Sequence, residues 1–230
     1  MTYIMEGKVK TLFGTDKPDQ LLIQFEDKVT AGNGRKVDFP EDKGAICCEI
    51  SRLFFEYLER EHVCATHYLS MPTHRALCVK KLKIIPVEVI LRNVAAGGIC
   101  RDSPIEEGTR FNPPIVEFNY KCDEKNDPLL TDDRVSLMGY DPKTFRRRAT
   151  ELNFHFQKIF GQMGLTVVDY KLEYGVDDKG HLFLADELSP DNFRLWKDGK
   201  SFDKDLFRKD EGNIVDAYRY ILTNLKEILE

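Results

Sequence analysis

The segment 167–196 constrains the fold more than any other part of the chain. Its first half predicts a strand that carries a charged residue at every second position: Asp169, Lys171 and Glu173. Because alternate residues of a strand share one face, these charges line one side. The apolar residues between them face the other side: Val168, Tyr170 and Leu172.

The residues that follow this strand predict a hairpin. The stretch 177–180 has the composition of a turn, in which glycine is free to take a positive φ. A second apolar strand then ends at Asp186, and the hairpin brings Asp186 near Glu173 without fixing the register. Two neighbouring carboxylates repel each other unless a cation lies between them, and Mg²⁺ binds one or two carboxylates together with phosphate oxygens. The hairpin therefore suits a magnesium ion.

Composition limits the class of protein. In 230 residues, 42% are hydrophobic and 32% charged, which is typical of a globular chain and not of a disordered or membrane protein. The net charge of -5 argues against a nucleic-acid binder. Six cysteines without C-x-x-C spacing, and an N-terminus without a signal-peptide apolar region, predict reduced thiols in a cytoplasmic protein.

The pattern along the chain predicts two lobes. Residues 1–84 are expected to form a small N-terminal lobe, mainly antiparallel β with one helix, and residues 85–230 a larger α+β lobe. Pro86 interrupts the apolar pattern and predicts a hinge between them. The larger lobe is expected to contain a strand over 87–92, a long polar loop to about residue 140, a helix over 141–164 and a last helix over about 211–229.

Two short motifs are candidates for binding anions. Lys8 and Lys10 would point to the same side of a strand after Gly7, as a phosphate clamp or as the protective lysines of an edge strand. Arg92 ends an apolar strand, where its guanidinium suits a carboxylate or phosphate, or pairs with a nearby acid. Neither G-x-x-x-x-G-K-[ST] nor G-x-G-x-x-G occurs, so a nucleotide site must be of another type.

Two further segments leave alternatives open. In the polar stretch 121–128, Lys121 and Asp127 could bind an anionic substrate and an amine, although a solvated loop is the stronger interpretation from the residues alone. Trp196, the single tryptophan, follows Arg194 closely. It indicates a shaped pocket, a buried anchor for a loop, or both.

Taken together, these segments resemble the SAICAR synthetase family, a group of purine-biosynthesis ligases. The segments that carry the resemblance span nearly the whole chain: 6–10, 43–45, 86–97, 121–128, 168–175 and 185–196. The resemblance implies an α/β (α+β) fold with two lobes, ATP-grasp-like or kinase-like, that binds ATP in the cleft.

The resemblance also implies a reaction. ATP, L-aspartate and the carboxylated aminoimidazole ribotide (CAIR) would give ADP, phosphate and the succinocarboxamide (SAICAR), by way of an acyl phosphate. Phosphoryl transfer needs positioning and neutralised charge more than a covalent protein group. The implied cofactors are ATP and Mg²⁺, and the implied partners are CAIR and L-aspartate, with no nucleic acid, no membrane and a homo-oligomeric assembly.

Residue roles follow from the resemblance. On the nucleotide side it places Lys8, Lys10 and Lys121 at the phosphates, Leu82 and Ile84 at the adenine, and Glu173 and Asp186 at Mg²⁺. On the substrate side it places Arg92, Lys171 and Arg194 at the phosphate and carboxylate of CAIR, and Asp127 and Asp169 at the reacting centre.

Two departures from the family pattern affect contacts with substrate. Gly98 stands where the family commonly has serine, which removes a hydroxyl expected at the CAIR phosphate that backbone amides could replace. Cys47 and Cys48 stand where the family often has two asparagines, and as neighbours in a helix they are expected to act as small apolar fillers.

Two rival functions remain open from the sequence. A small-molecule kinase on the same scaffold would accumulate a phosphorylated product without an amide. A non-catalytic nucleotide-binding module would keep the fold without turnover, although the candidate metal pair Glu173 and Asp186 argues against it.

Overall fold

The computed structural model describes residues 2–32 and 34–230. The first part of the chain folds into strands around one long helix: β1 (Thr2–Glu6), β2 (Lys10–Gly14), β3 (Gln20–Phe25), β4 (Val29–Ala31), β5 (Lys36–Asp38), α1 (Lys43–Arg60), β6 (Tyr68–Thr73) and β7 (Ala76–Lys80). Five of these strands form an antiparallel sheet in the order β1-β2-β3-β7-β6, and β4 pairs with β5. Below, this five-stranded sheet is called the small sheet.

The rest of the chain builds a larger antiparallel sheet, called the large sheet. Its elements are β8 (Lys83–Val94), α2 (Gly98–Asp102), β9 (Arg110–Tyr120), β10 (Leu129–Leu130), α3 (Asp132–Leu137), α4 (Pro142–Gln162), β11 (Thr166–Val176), β12 (Leu182–Ala185), β13 (Phe193–Lys197), β14 (Lys200–Ser201), α5 (Asp205–Lys209) and α6 (Ile214–Leu229). The strand order is β10-β9-β8-β11-β13-β14, and β12 pairs with the other part of β11.

One face of the large sheet is covered by α4 and is apolar. The helix begins as its sequence predicts, with the side chain of Asp141 accepting a hydrogen bond from the backbone N–H of Lys143. The Phe54 ring of α1 packs against Phe156 and Phe160 of α4, with centroids 5.5 Å apart in each case. A single core therefore joins α1 to the large sheet and leaves the opposite face of that sheet for charged residues.

The structure corrects the hinge predicted at Pro86. The strand β8 runs without a break from Lys83 to Val94 and passes through this proline. The missing N–H is tolerated because the pairing with β11 slips between Glu173 and Gly175, opposite the proline, while its carbonyl still accepts from the N–H of Lys121 at 3.1 Å.

The prediction of a long loop up to residue 140 is also wrong. This segment contains β9, an eleven-residue strand that pairs with β8 along most of its length. Its two prolines, Pro113 and Pro114, lie where the register shifts, between the pairs Arg92–Ile115 and Val94–Arg110. Because prolines mark irregular points of a ladder, their presence hid this strand.

A bulge changes one face of β11. The register shifts between Val167 and Asp169, so Val167 joins the main core with Tyr170 and Leu172. Val168 instead packs on the opposite face in a small cluster with Val94, Ala96 and Trp196. The charged row predicted for β11 is present. The apolar row on the core side contains Val167 in place of the predicted Val168.

Within 2–32 and 34–230, none of the helices is both long enough and apolar enough to cross a bilayer.

Candidate active site

The charged face of the large sheet begins with a carboxylate held between two arginines. The register places Asp169 of β11 opposite Arg92 of β8 on one side and Arg194 of β13 on the other. Asp169 Oδ2 accepts from Arg92 Nη1 at 2.7 Å and from Arg194 Nη1 at 2.6 Å. Burial raises the pKa of Asp169, and the two arginines act against that rise.

Further acids fix each arginine, and sequence reasoning missed them. Arg92 Nε donates to Glu117 at 2.6 Å, and Arg194 Nε donates to Asp205 at 2.7 Å. The remaining nitrogens of each fork are therefore oriented before any ligand binds, as bidentate recognition of a phosphate or carboxylate requires.

A glycine turn approaches these arginines closely. Gly97 has φ 65°, and a Cβ atom there would lie 2.7 Å from Nη2 of Arg194. Gly98, the first residue of α2, is less crowded, because a Cβ atom there would meet Arg101 at 3.5 Å and Arg92 at 3.8 Å. Only glycine fits at 97, whereas a small side chain fits at 98.

A second group of charges surrounds Glu173. Lys121 and Lys171 both bind this carboxylate, the latter at 3.0 Å. Lys171 also donates to Glu88 of β8 at 2.6 Å, a buried acid that the sequence did not indicate. Burial acts to lower the pKa of Lys171, but Glu173 and Glu88 hold it above its ordinary value.

The small sheet contributes one cation to this region. Lys10 of β2 binds Asp186, and its Nζ lies 2.8 Å from Glu187 Oε1. Because β11 pairs Glu173 with Ala185, Asp186 follows directly after the partner of Glu173. Burial opposes ionisation of Asp186, yet Lys10 and Lys171 hold the pKa of that carboxyl below its usual range. An ion pair thus links the two sheets across the cleft.

The remaining candidates lie around this group. Lys8 is half-exposed and binds Asp123 at 2.6 Å. Asp127 accepts from the backbone N–H of Cys122 at 2.8 Å and, by its charge, helps burial to raise the pKa of Glu88. Asp127 therefore lies on the Glu88 side of the face, whereas Asp169 lies among the arginines, and the two aspartates do not share a cluster.

An apolar patch adjoins the second group. A Cβ atom on Gly175 would lie 2.8 Å from Cβ of Leu82 and 3.3 Å from Cδ1 of Ile84. Ile84 is 44% exposed although it is a large aliphatic residue in a strand. Leu82 and Ile84 thus pack over the backbone of Gly175, which has no side chain and lies two residues after Glu173.

A buried ion pair lies behind the hairpin, and sequence reasoning gave it no role. Lys43 of α1 donates to Asp191 Oδ2 at 2.5 Å, and the hydroxyl of Tyr218 in α6 donates to Oδ1 at 2.7 Å. Cys47 and Cys48 are fully buried beside it. Burial, helped by Glu49, raises the pKa of Cys48 to about 12, so this thiol stays protonated and acts as a filler.

Trp196 fits both interpretations drawn from the sequence. It packs on Val94, Ala96 and Val168, and it also lines an open groove of about 720 Å³ together with Lys200 and Lys209 among others.

A cavity of about 160 Å³ lies at Asn93 and Gln157, away from the charged face. All six cysteines are unpaired.

These features define an α+β enzyme with two antiparallel sheets and a cleft lined by paired lysines, arginines and carboxylates. Residues 3–225 match the model of the SAICAR synthetase family. The phosphoribosylaminoimidazole-succinocarboxamide synthase of Nautilia profundicola is 40% identical over 99% of this chain and 100% of its own length. The chain belongs to the SAICAR synthetase family.

Solved structures agree. A crystal structure of phosphoribosylaminoimidazole-succinocarboxamide synthase from Ehrlichia chaffeensis has a TM-score of 0.93 and 36% identity, and the match covers 97% of this chain and 98% of that one. A SAICAR synthetase in complex with ADP has a TM-score of 0.91 and 36% identity, with 96% of each chain covered. The family, the fold and the enzyme class inferred from the motifs, an ATP-dependent ligase of purine biosynthesis, are confirmed.

Proposed function

We propose that the chain ligates L-aspartate to the carboxylate of CAIR with ATP, giving SAICAR, ADP and phosphate. Family membership supports the reaction. The observation that carries it is the charged cleft, in which Lys10, Lys121 and Lys171 each bind a carboxylate beside the fixed arginines. Such cations suit a nucleotide and a ribotide, both multiply anionic.

ATP would bind between the small sheet and the hairpin. Lys8, Lys10 and Lys121 would bind its phosphates by exchanging their present acidic partners for phosphate oxygens. Leu82 and Ile84 would flank the adenine, which the exposure of Ile84 supports, because an apolar ring would cover it.

The hairpin fits a magnesium ion by its donor chemistry. Glu173 and Asp186 supply hard oxygen donors, and the lowered pKa of Asp186 keeps its carboxyl ionised at neutral pH. Two carboxylates match what Mg²⁺ takes before phosphate oxygens complete its shell. Among the residues that the structure describes, no group of three or more His, Cys, Asp or Glu is placed to hold a metal. When bound, Mg²⁺ would neutralise phosphate charge.

CAIR would bind at the arginines. Arg92 and Arg194 would take its phosphate, backbone amides at Gly98 would replace the family's serine, and Lys171 would hold the carboxylate that reacts. The acids behind each arginine support this assignment, since they fix the forks without occupying every nitrogen.

The chemistry would proceed in two displacements. A carboxylate oxygen of CAIR attacks the γ-phosphorus, and ADP leaves; the amine of aspartate then attacks the acyl carbon, and phosphate leaves. Lys121 and Lys171 stabilise the charge that develops on phosphoryl and carboxylate oxygens. Of the two aspartates implied by the family, Asp127 on the Glu88 side would line the reacting centre, where the attacking amine must lose a proton, whereas Asp169 would orient Arg92 and Arg194.

An isotope experiment tests this course. With CAIR labelled by ¹⁸O in its carboxylate, we expect one labelled oxygen in the released phosphate, because the acyl phosphate breaks at the acyl carbon. Release of ADP, followed with each substrate omitted in turn, should require CAIR. Unlabelled phosphate would overturn the acyl phosphate, and a phosphorylated product without amide would identify a kinase instead.

We also propose a cytoplasmic homo-oligomer. The edge strand β1 supports association, because all five of its residues are exposed and include Tyr3, Ile4 and Met5. Light scattering should give a mass above one chain, and a monomeric mass at micromolar concentration would refute it.

A further inference from the structure

The carboxylate of Asp203 connects the two sides of the ion pair between Arg194 and Asp205, although the reaction above gives it no role. Asp203 lies between β14 and α5 and is fully buried. Its Oδ2 accepts from the backbone N–H of Leu195 at 2.7 Å, and its Oδ1 accepts from the backbone N–H of Asp205 at 2.6 Å. Leu195 follows Arg194 in β13, and Asp205 begins α5, so one carboxylate holds the backbone on both sides of the ion pair.

The contact with Leu195 goes beyond the closure of a turn. An aspartate commonly accepts from the N–H two residues further on, and the bond to Asp205 is of that kind. The bond to Leu195 instead reaches back eight residues to the neighbouring strand. Beside it, the N–H of Phe202 donates to the carbonyl of Leu195 at 2.8 Å. The start of α5 is thereby fixed against β13.

The direction of the Arg194 guanidinium depends on where α5 begins. Its Nε donates to Asp205 at 2.7 Å, and its Nη1 donates to Asp169 of β11 at 2.6 Å. The third nitrogen, Nη2, lies against the turn at Gly97. Because the guanidinium is planar and rigid, a shift of Asp205 would rotate all three nitrogens away from the site proposed for the CAIR phosphate.

The chemistry of the Asp203 side chain fits this double contact. Removing a carboxylate from water is unfavourable unless hydrogen bonds replace the water, and a neutral side chain would close the turn to Asp205 without that cost. The two N–H groups bind the two oxygens of Asp203 separately. A side-chain amide offers one oxygen and would present a donor to the other N–H. Only a carboxylate of this size suits both positions.

We propose that Asp203 is a positioning residue, which sets Asp205 against β13 so that the Arg194 guanidinium is directed at the phosphate of CAIR. The inference rests on the proposed function, which places Arg194 at that phosphate. Asp203 itself would not touch the ribotide, because it is buried and its oxygens face backbone N–H groups.

Asp203→Asn tests the role, because it keeps the size of the side chain and opposes an amide N–H₂ to one of the two backbone N–H groups. Assays at pH 8 keep the wild-type carboxyl ionised, since burial and the charge of Asp205 raise the pKa of Asp203 to about 7. We expect the KM for CAIR to rise about tenfold, with kcat and the KM for ATP within about twofold of the wild type. This split follows because phosphate binding is weakened equally before and in the transition state.

A double-variant cycle separates positioning from a general loosening of the fold. Arg194→Ala should raise the KM for CAIR by about 100-fold, the worth of charged hydrogen bonds to a phosphate. Asp203→Asn added to Arg194→Ala should raise this KM no further, because the side chain that Asp203 positions is gone. Effects of the two substitutions that multiply would overturn the proposal.

A core variant controls for lost stability. Phe145 of α4 packs against Phe118 and Tyr174 on the apolar face of the large sheet, opposite the charged face. Phe145→Leu should lower Tm and leave the KM for CAIR as in the wild type. A rise in this KM equal to that of Asp203→Asn would show that lost stability alone produces it, and would overturn the proposal.

A second substitution at the same position covers a failure of Asp203→Asn to fold. Asp203→Ser removes the charge without opposing an amide N–H₂ to a backbone N–H, and the same rise in the KM for CAIR at nearly constant kcat is expected.

The outcomes distinguish the two levels of the proposal. A raised KM for CAIR in Arg194→Ala, together with a wild-type KM in Asp203→Asn or Asp203→Ser, would overturn the role of Asp203 and leave the proposed function in place. A wild-type KM in Arg194→Ala, or turnover by the wild type without CAIR, would overturn the assignment of the ribotide site and the role of Asp203 with it.

Discussion

At the scale of single residues, the two glycines at the start of α2 differ in the side chain that they can accept. A Cβ atom at Gly98 would make only ordinary contacts at 3.5 Å and beyond. Gly98→Ser should therefore be accommodated and add a hydroxyl at the proposed CAIR phosphate, lowering the KM for CAIR by about tenfold. Steady-state kinetics with saturating ATP and aspartate would measure it.

The neighbouring position gives the matched comparison. Gly97→Ala would press a methyl group against the Arg194 guanidinium, at a φ that alanine avoids. We expect it to raise the KM for CAIR. If neither substitution moved this KM, the ribotide phosphate would have to bind elsewhere.

The metal assignment makes a second prediction at this scale. Asp186→Asn keeps the shape of the side chain but removes its charge, so kcat should fall by at least about 100-fold, with the loss partly recovered at high Mg²⁺. The exposed Asp133→Asn in α3 is the control and should match the wild type. Turnover of Asp186→Asn near the wild-type rate would refute Asp186 as a ligand.

At the scale of elements, the pair Lys43–Asp191 joins α1 to the turn after the hairpin, and Tyr218 adds α6. Lys43→Met would remove the nearest cation from a buried carboxylate, leaving Lys204 at 3.8 Å and the Tyr218 hydroxyl, and should lower the free energy of unfolding by about 3 kcal/mol. Tyr218→Phe removes one donor and should cost about 1–2 kcal/mol. Urea unfolding measures both.

A double variant isolates the charge. Lys43→Met combined with Asp191→Asn should be more stable than Lys43→Met alone, because the buried carboxylate that lost its nearest cation is then neutral. Additive losses would mean that the two side chains stabilise the protein independently.

The elements also show what the sequence can predict. Helix α4 follows its predicted cap and stripe, and the β11–β12 hairpin follows its turn, because both signals are local. Strand β9 was missed because its prolines lie at a register shift that only the pairing with β8 reveals.

Site residues divide in the same way. Lys10 and Arg92 were found from local motifs and from family resemblance. The partners that orient the site were not, since Glu88 lies 83 residues from Lys171, and Asp191 lies 148 residues from Lys43. No local pattern encodes a contact at such separation.

At the scale of the whole molecule, stability should depend on pH through Asp203. This buried carboxyl accepts from the N–H groups of Leu195 and Asp205, and burial together with the charge of Asp205 raises its pKa to about 7. The folded protein therefore keeps a proton that the unfolded chain loses near pH 4, so the contribution of Asp203 to stability is lost as pH rises from 4 through 7.

The size of this effect can be measured against a variant. Between pH 4 and pH 8, the free energy of unfolding of the wild type should fall by about 4 kcal/mol relative to that of Asp203→Asn. Urea titrations at several pH values measure it, and a difference independent of pH would contradict the raised pKa.

The contact of Lys10 with Asp186 and Glu187 has a consequence for nucleotide binding. The lysines that would receive phosphates bind carboxylates, so an incoming nucleotide replaces one set of ionic partners by another. Few small ions need be displaced in such an exchange. The affinity for ADP should consequently vary less with ionic strength than expected for three free lysines that bind a polyphosphate. The ion pairs of Lys10 with Asp186 and Glu187, which join the small sheet to the hairpin, should break as the nucleotide binds and so loosen the cleft.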